Sequence, residues 1–370
     1  MSRSNAPIFT KLELRDFCGF SQFQIDLQPL TVLVGPNNGG KTTILRAVKF
    51  LTDCLDLALP SYRKGLMEYR RNVNEAQVKY DTAMQQADKT REESLAELKK
   101  QDGDLAEREQ QRQADRVRQQ YEQSRQQAEN ALQNQQRSLM QQMPKCRCDV
   151  KAVAQRQFVE RLDTFFYQHS TEITPTLVAI ATTSPETTVI TAKITREPNN
   201  KFWADLSFAI DGSDIMDIPP ELGDAALKAL EGMVSEYVQP ICNLTPSEGA
   251  QPWPQVQQAI NNGKPHEVWR NQMHWLAEGA GPEPFQRVIE RIRHAMPSVE
   301  LSQPRRTRDK QPKVVVEFEE NGINYDVAES GNGFRTLLSI AASLELSKAS
   351  VFLFDEPDSH LHSAIQRELS

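Results

Sequence analysis

Gly35-Pro36-Asn37-Asn38-Gly39-Gly40-Lys41-Thr42-Thr43 stands between an apolar run (Leu30, Val32, Leu33, Val34) and an amphipathic stretch opening at Ile44. The spacing is G-x-x-x-x-G-K-T, and the context predicts a buried strand over 30–34, a turn and then a helix. Each part has a chemical reason. Glycines let backbone N–H groups turn inward around an anion. The helix points its positive N-terminal end at the same anion. Lys41 adds a point charge suited to β/γ-phosphates, and the Thr42 hydroxyl suits Mg²⁺. A nucleotide phosphate site over Gly35, Asn37, Asn38, Gly39, Gly40, Lys41, Thr42 and Thr43 is the first expectation.

The 370 residues allow more than one domain. A net charge of −7 argues against a chain that coats itself in nucleic acid, yet leaves room for a local basic patch. No run of about 18 apolar residues offers a membrane span. The start, MSRSNAPIFTKLEL, lacks an export core. Cys18, Cys54, Cys146, Cys148 and Cys242 form an odd, scattered set that fits a reducing cytoplasm better than a disulfide framework.

Alternating apolar residues predict two strands in 8–27 around a turn at Cys18-Gly19. From 62 to 143 the composition turns polar and helix-favouring, with no proline, and Gly103 is the one glycine away from its ends. A weak heptad runs through Leu66, Val73, Tyr80 and Ala87, with Tyr69, Ala76 and Ala83 as the second seam; it resumes at Val117, Tyr121, Ala128 and Ala131. Asp102-Gly103 is a turn dipeptide near the midpoint. The expectation is an antiparallel helical hairpin with arms over 62–101 and 104–143, each reaching roughly 60 Å at 1.5 Å per residue. Cys146-x-Cys148 follows Pro144; its spacing is poor for a metal and reads as two thiols in a connector.

A helix is expected over 150–169, then strands over 176–183, 187–195 and 202–210. Residues 221–297 read as mainly helical. Strands follow at 299–303, 313–319 and 323–327, the last pair joined by an Asn321-Gly322 hairpin turn. The loop with Arg305, Arg306, Arg308, Lys310 and Lys313 has two readings: a solvated hairpin tip, or a contact with DNA phosphates. The run Val351-Phe352-Leu353-Phe354 ends in Asp355-Glu356. At the carboxyl end of a buried parallel strand, Asp355 would hold Mg²⁺ and Glu356 would polarise an attacking water. About 24 residues earlier, Ser330-Gly331-Asn332-Gly333 opens an apolar helix over 336–346.

Together, the phosphate loop, Ser330-Gly331-Asn332-Gly333, Phe354-Asp355-Glu356-Pro357 and Asp358-Ser359-His360-Leu361-His362 resemble the ABC-type ATPases that work on DNA. RecF, SMC-like repair proteins and, most closely, the OLD (overcoming lysogenisation defect) family share this order, and Gln366-Arg367 fits the OLD-like variant. Leu12-Glu13-Leu14-Arg15-Asp16-Phe17 is similar to the group's first strand. The resemblance implies an α/β fold: an ABC-type P-loop ATPase head with an inserted antiparallel helical coiled-coil hairpin. Its segments would be an N-terminal lobe (1–61), the hairpin (62–149), the rest of that lobe (150–215), and a helical region with the C-terminal lobe (216–370).

By the same resemblance, two heads sandwich ATP and Mg²⁺. Ser330, Gly331, Asn332 and Gly333 act in trans, Ser359 and His360 sense the partner, and Arg15 reaches a phosphate. The implied function is an ATP-hydrolysing switch of OLD type in bacterial antiphage defence, a homodimer or higher homo-oligomer controlling a nuclease or toxin. A RecF/SMC-like DNA-repair clamp and an ATP-dependent sensor scaffold with little turnover remain alternatives, so DNA as a partner stays open. The signature reads SGNG rather than SGGQ, usual in OLD-like members, and leaves the hydrolysis rate open. The hairpin apex lacks a Cys-x-x-Cys hook. The group's further strand, its γ-phosphate histidine and the Toprim nuclease of OLD proteins are expected from additional sequence or a separate chain.

Overall fold

The computed structural model describes residues 8–36, 39–100, 107–157, 162–166, 174–183, 186–238, 244, 247–261, 265–279 and 282–355. Contacts divide the chain into two compact units. One joins Met1–Ala58 to Arg147–Ser370, and the other is Leu59–Cys146.

The first unit begins with strands β1 (Ile8–Phe17) and β2 (Phe20–Asp26). They turn through Cys18, whose φ of 51° is left-handed. Helix α1 (Lys41–Lys100) opens in this unit, and α2 (Glu107–Gln141) lies in the other. Next come β3 (Cys146–Asp149), α3 (Val150–Arg156), β4 (Thr176–Thr183), β5 (Glu186–Arg196), β6 (Phe202–Ile210) and β7 (Ser213–Asp214). These strands form a seven-stranded sheet in the order β2-β1-β4-β5-β6-β3, with β7 on β6. Strand β1 pairs antiparallel with both β2 and β4, so residues from either side of the helical hairpin share one sheet. Leu12 and Leu14 alternate onto its buried face with Leu177, Ala179, Ile190 and Ala192.

The opening of α1 covers this sheet. Phe50, Leu51, Cys54 and Leu55 are fully buried, and Phe50 meets Phe17 and Phe165 with ring centroids 5.9 and 5.0 Å apart. The helix expected over 150–169 is cut short. It ends at Arg156, Leu162–Phe165 forms a 3₁₀ turn, and Phe166 bridges to Phe17. Phe165 and Phe166 are both 1% exposed, and Phe165 packs its ring against Phe17 and Phe50.

The predicted strand over 30–34 is absent. Residues 31–36 have no regular structure, and Leu30, Val32 and Val34 are 65%, 71% and 92% exposed. A strand needs a neighbour for its backbone groups, and no strand pairs with this stretch among the described residues. Locally, Thr31 Oγ1 accepts from Gln28 N and donates to Gln28 O, which folds the entry to the stretch into a turn.

The rest of the first unit holds α4 (Pro220–Glu231), β8 (Ser235–Val238), β9 (Glu248–Gly249), α5 (Trp253–Asn261), α6 (Trp269–Glu278) and α7 (Pro282–Ala295). It continues through β10 (Val299–Leu301), β11 (Arg305–Arg306), β12 (Lys313–Val315), β13 (Glu317–Glu320), β14 (Ile323–Asp326), α8 (Asn332–Leu346) and β15 (Val351–Phe354). Met273, Leu276, Val288, Ile292, Leu338 and Val316 anchor a second core among α6, α7, α8 and the small strands. Asn321 and Gly322 take φ of 53° and 78°, as the expected hairpin turn between β13 and β14 requires. Strand β15 pairs parallel with β8. β8 lies inside the region read as helical, and four residues between Val234 and Gln239-Pro240 leave little periodicity to detect.

In the second unit, the Gly65 backbone lies close to the Pro144 ring, and the Arg91 guanidinium sits 4.8 Å over the Tyr121 ring. Early residues thus face late ones, an antiparallel pair. The seam is thin: Leu66, Ala76 and Leu139 are buried, while Val73 is 36% exposed. Exposed i,i+4 pairs such as Arg125–Glu129 add only about 0.3–0.5 kcal/mol each. No helix among the described residues is long and apolar enough to cross a membrane.

Phe17→Ala should cost about 3–5 kcal/mol of the first unit's stability, because the cavity opens among Phe50 and Phe165. Val78→Ala, at an exposed position, should change stability by less than about 0.5 kcal/mol. Urea unfolding followed by tryptophan fluorescence and by circular dichroism distinguishes the two.

Candidate functional site

The phosphate loop closes on itself. Gly39 N donates to Pro36 O (3.0 Å), and Ile44 N donates to Gly40 O (3.0 Å), which starts α1. Gly40 has φ of +85°, and a Cβ there would collide with the Phe20 ring, so the position favours glycine. Lys41 Nζ donates to the carbonyls of Gly35 (2.7 Å) and Pro36 (3.0 Å). The ammonium therefore lies against the loop's own carbonyls. Thr43 is half-buried in the first turn of α1. Asn37 and Asn38 lie outside the described residues.

Thr42 Oγ1 donates to Asp355 Oδ2 at 2.8 Å, across 313 positions of sequence. This brings the start of α1 against the end of β15. Tyr237 at the end of β8 donates its hydroxyl to the same Asp355 oxygen at 2.7 Å. Sequence reasoning missed Tyr237 because it missed β8. The parallel register, with Leu353 opposite Tyr237 and Phe354 opposite Val238, sets the phenol beside the carboxylate. The donor set around this point, a threonine hydroxyl and a carboxylate, is all hard oxygen and fits Mg²⁺. Glu356, Ser359 and His360 lie outside the described residues.

Strand β8 ties further parts together. Ser235 shares a hydroxyl–hydroxyl bond with Thr52 of α1. Glu236 faces Ser347 and Ser343 at the end of α8, whose hydroxyls favour its charged form. One short strand thus contacts α1, α8 and the Asp355 carboxylate.

The Ser330-Gly331-Asn332-Gly333 turn is set by residues before it. Asp326 caps the 3₁₀ turn Val327–Glu329, and Glu329 returns the bond to Asp326 N in a capping box. Asp326 is held in turn by Arg270, through bonds of 2.9 and 2.6 Å. Ser330 is 6% exposed, and its Oγ donates to Val327 O at 2.7 Å. Arg335 donates to Ser330 O from Nε (3.1 Å) and Nη2 (2.8 Å). Gly331 and Asn332 are exposed at the N-terminus of α8. No hydrogen bond or ion pair among the described residues joins this turn to residues 35–43. Arg15 is exposed on β1 with its guanidinium 3.6 Å from Glu13, so its ion pair is within the strand. Cys146 and Cys148 are buried on β3.

The family model described as an AAA ATPase domain matches residues 8–55. The chain is 49% identical over 43 residues to the DNA replication and repair protein RecF of Roseiflexus castenholzii (strain DSM 13941 / HLO8). Over residues 8–55 the chain is thus similar to an AAA ATPase domain, and over a 43-residue stretch to RecF. The match to RecF takes in 11% of each protein's length. Among solved structures, the Smc head domain with an extended coiled coil from Pyrococcus furiosus, bound to the C-terminal domain of ScpA, aligns at a TM-score of 0.43. That alignment has 12% identity and covers 98% of this chain and 85% of the other. The family match takes in β1, β2, the phosphate loop and the opening of α1.

Burial raises the pKa of Glu236 above its ordinary 4.5, against the opposing effects of Ser347, Lys49 and Ser343. The folded state then holds this proton more tightly than the unfolded chain. Its contribution is greatest in acid and is lost as pH rises through the ordinary value toward the raised one. The stability of the wild type minus that of Glu236→Gln should therefore fall in urea titrations as pH rises above the ordinary carboxyl range. A difference independent of pH would show that the carboxyl is not buried against α8.

Proposed function

We propose that the chain binds and hydrolyses ATP as one half of a dimeric switch built as an ABC-type head with an inserted coiled-coil hairpin. The Thr42–Asp355 bond carries this reading. It places a phosphate-loop hydroxyl and an acidic strand end within one metal's reach. Thr42 and Asp355 would hold Mg²⁺, which neutralises developing phosphate charge when bound. Lys41 would leave the Gly35 and Pro36 carbonyls for the nucleotide's phosphates. Tyr237 would keep Asp355 in place while Thr42 turns its oxygen toward the metal. Glu356, next in sequence, would orient the attacking water.

In this reading Ser330, Gly331, Asn332 and Gly333 complete the site of a second head, with Ser359 and His360 at the seam. Gly331 and Asn332 have the exposure such a role needs. Downstream of the switch we favour control of a nuclease or toxin effector, as in OLD-type antiphage systems, in the cytoplasm. A RecF-like role on DNA is the second reading, supported by the 43-residue match.

Lys41→Ala should abolish ATP binding by isothermal titration calorimetry; near-native affinity would refute the site. Glu356→Gln should slow hydrolysis and accumulate an ATP-bound dimer. Light scattering that finds the same monomer fraction with and without ATP would count against the sandwich.

A further inference from the structure

The helical region holds a pocket of about 260 Å³ that the ATPase reading leaves unused. Its wall is a pair of stacked indoles, Trp253 at the start of α5 and Trp275 on α6, with centroids 4.7 Å apart and planes 11° apart. Both tryptophans are only half-buried, whereas Met273 and Leu276 beside them are fully buried. The wall is stiff. A Cβ on Gly279 would collide with the Trp275 ring, so the ring lies directly against backbone. Asn271, also in the lining, is fixed by Gln251 N (2.8 Å) and Gly249 O (2.8 Å). His274 is 4% exposed, with Nδ1 3.4 Å from Glu278 Oε2, and both line the pocket.

The last lining residue is Arg306 of β11, which is exposed. It lies on the basic hairpin that the sequence singled out. Arg305 is spent on Glu317 at 3.0 Å. Arg306, Arg308 and Lys310 have no ion pair among the described residues. The hairpin is held by Thr307 N donating to Lys313 O and Lys313 N donating to Thr307 Oγ1. A stacked aromatic wall thus adjoins Arg306, with Arg308 and Lys310 following it in sequence on the same hairpin.

We propose that this pocket takes one unpaired base of a single-stranded nucleic acid, with the flanking phosphates on Arg306, Arg308 and Lys310. The parts match the two demands of such a ligand, a π-surface for the base and positive charge for the backbone. Typical drug-sized ligand pockets run to about 300–1,000 Å³, so this one suits a single ring system. A base stacked within a duplex cannot enter it. A proline-rich peptide would use the indoles but gain nothing from the cations. An acidic peptide would use the cations but gain nothing from the indoles. The site stands apart from the ATPase reading, and its test uses no ATP.

The experiment is fluorescence anisotropy of a labelled oligothymidylate with the full chain, read alongside intrinsic tryptophan fluorescence. Binding should weaken with salt and quench the tryptophans. Trp253→Ala should weaken it about 5- to 100-fold, Trp253→Phe less, and Arg306→Glu should both weaken it and flatten the salt dependence. The last two keep the test decisive should Trp253→Ala unfold. Equal competition by a duplex of the same length overturns the proposal. So does wild-type affinity in Trp253→Phe and Arg306→Glu together, or quenching by a proline-rich or glutamate-rich peptide and not by the oligonucleotide.

Discussion

The bond from Thr42 to Asp355 depends on nearly everything else in the first unit. It joins residues 313 apart, so two separate placements must be right. The aromatic contacts of Phe50 with Phe17 and Phe165 set α1 on the sheet. The ladder between β15 and β8 sets Asp355, and the Thr52–Ser235 bond ties that ladder back to α1. A single hydrogen bond to a carboxylate is worth about 1.5–3 kcal/mol net, too little to set both placements. Packing does the positioning. The hydrogen bond is the result, and its value is chemical: two hard oxygens at the mouth of a phosphate loop.

What could be read from the chain follows from how local the controlling physics is. The phosphate loop was legible because its chemistry demands residue types at fixed spacing, and Gly40 has the positive φ that the motif implies. The hairpin of α1 and α2 was legible from composition over some 80 residues. Strands β4, β5 and β6 were legible from alternation. By contrast, an apolar run at 30–34 has a strand's composition and no strand's partner, and pairing lies outside any sequence window. Strand β8 failed in the opposite sense. It has a partner in β15 but only four residues, so its pairing decides what its pattern cannot. Tyr237 went with it.

Leu30, Val32 and Val34 alternate with Thr31 and Leu33 as a strand would, yet leave their side chains in water. At about 25 cal/mol per Å² of apolar area, each fully buried side chain of this kind is worth about 1.5–3 kcal/mol. A neighbour supplying backbone pairs would therefore find a segment already favourable to order. The stretch leads directly into Gly35, whose carbonyl holds Lys41. Any ordering of 30–34 would act on the loop through that residue.

The signature turn poses the sharper question of magnitude. Ser330 is turned inward, its hydroxyl on Val327 O, whereas a role against another head's nucleotide needs that hydroxyl outside. Leaving Val327 forfeits a neutral hydrogen bond, about 0.5–1.5 kcal/mol net. A bond to a charged phosphate oxygen is worth about 1.5–3 kcal/mol. The exchange favours rotation only when the phosphate is present. Arg270, Asp326 and Arg335 hold the backbone of the turn and not the hydroxyl, so the side chain can rotate without disturbing its cap. In the structure itself Ser330 Oγ is committed to Val327 O and buried, on a backbone held independently of it.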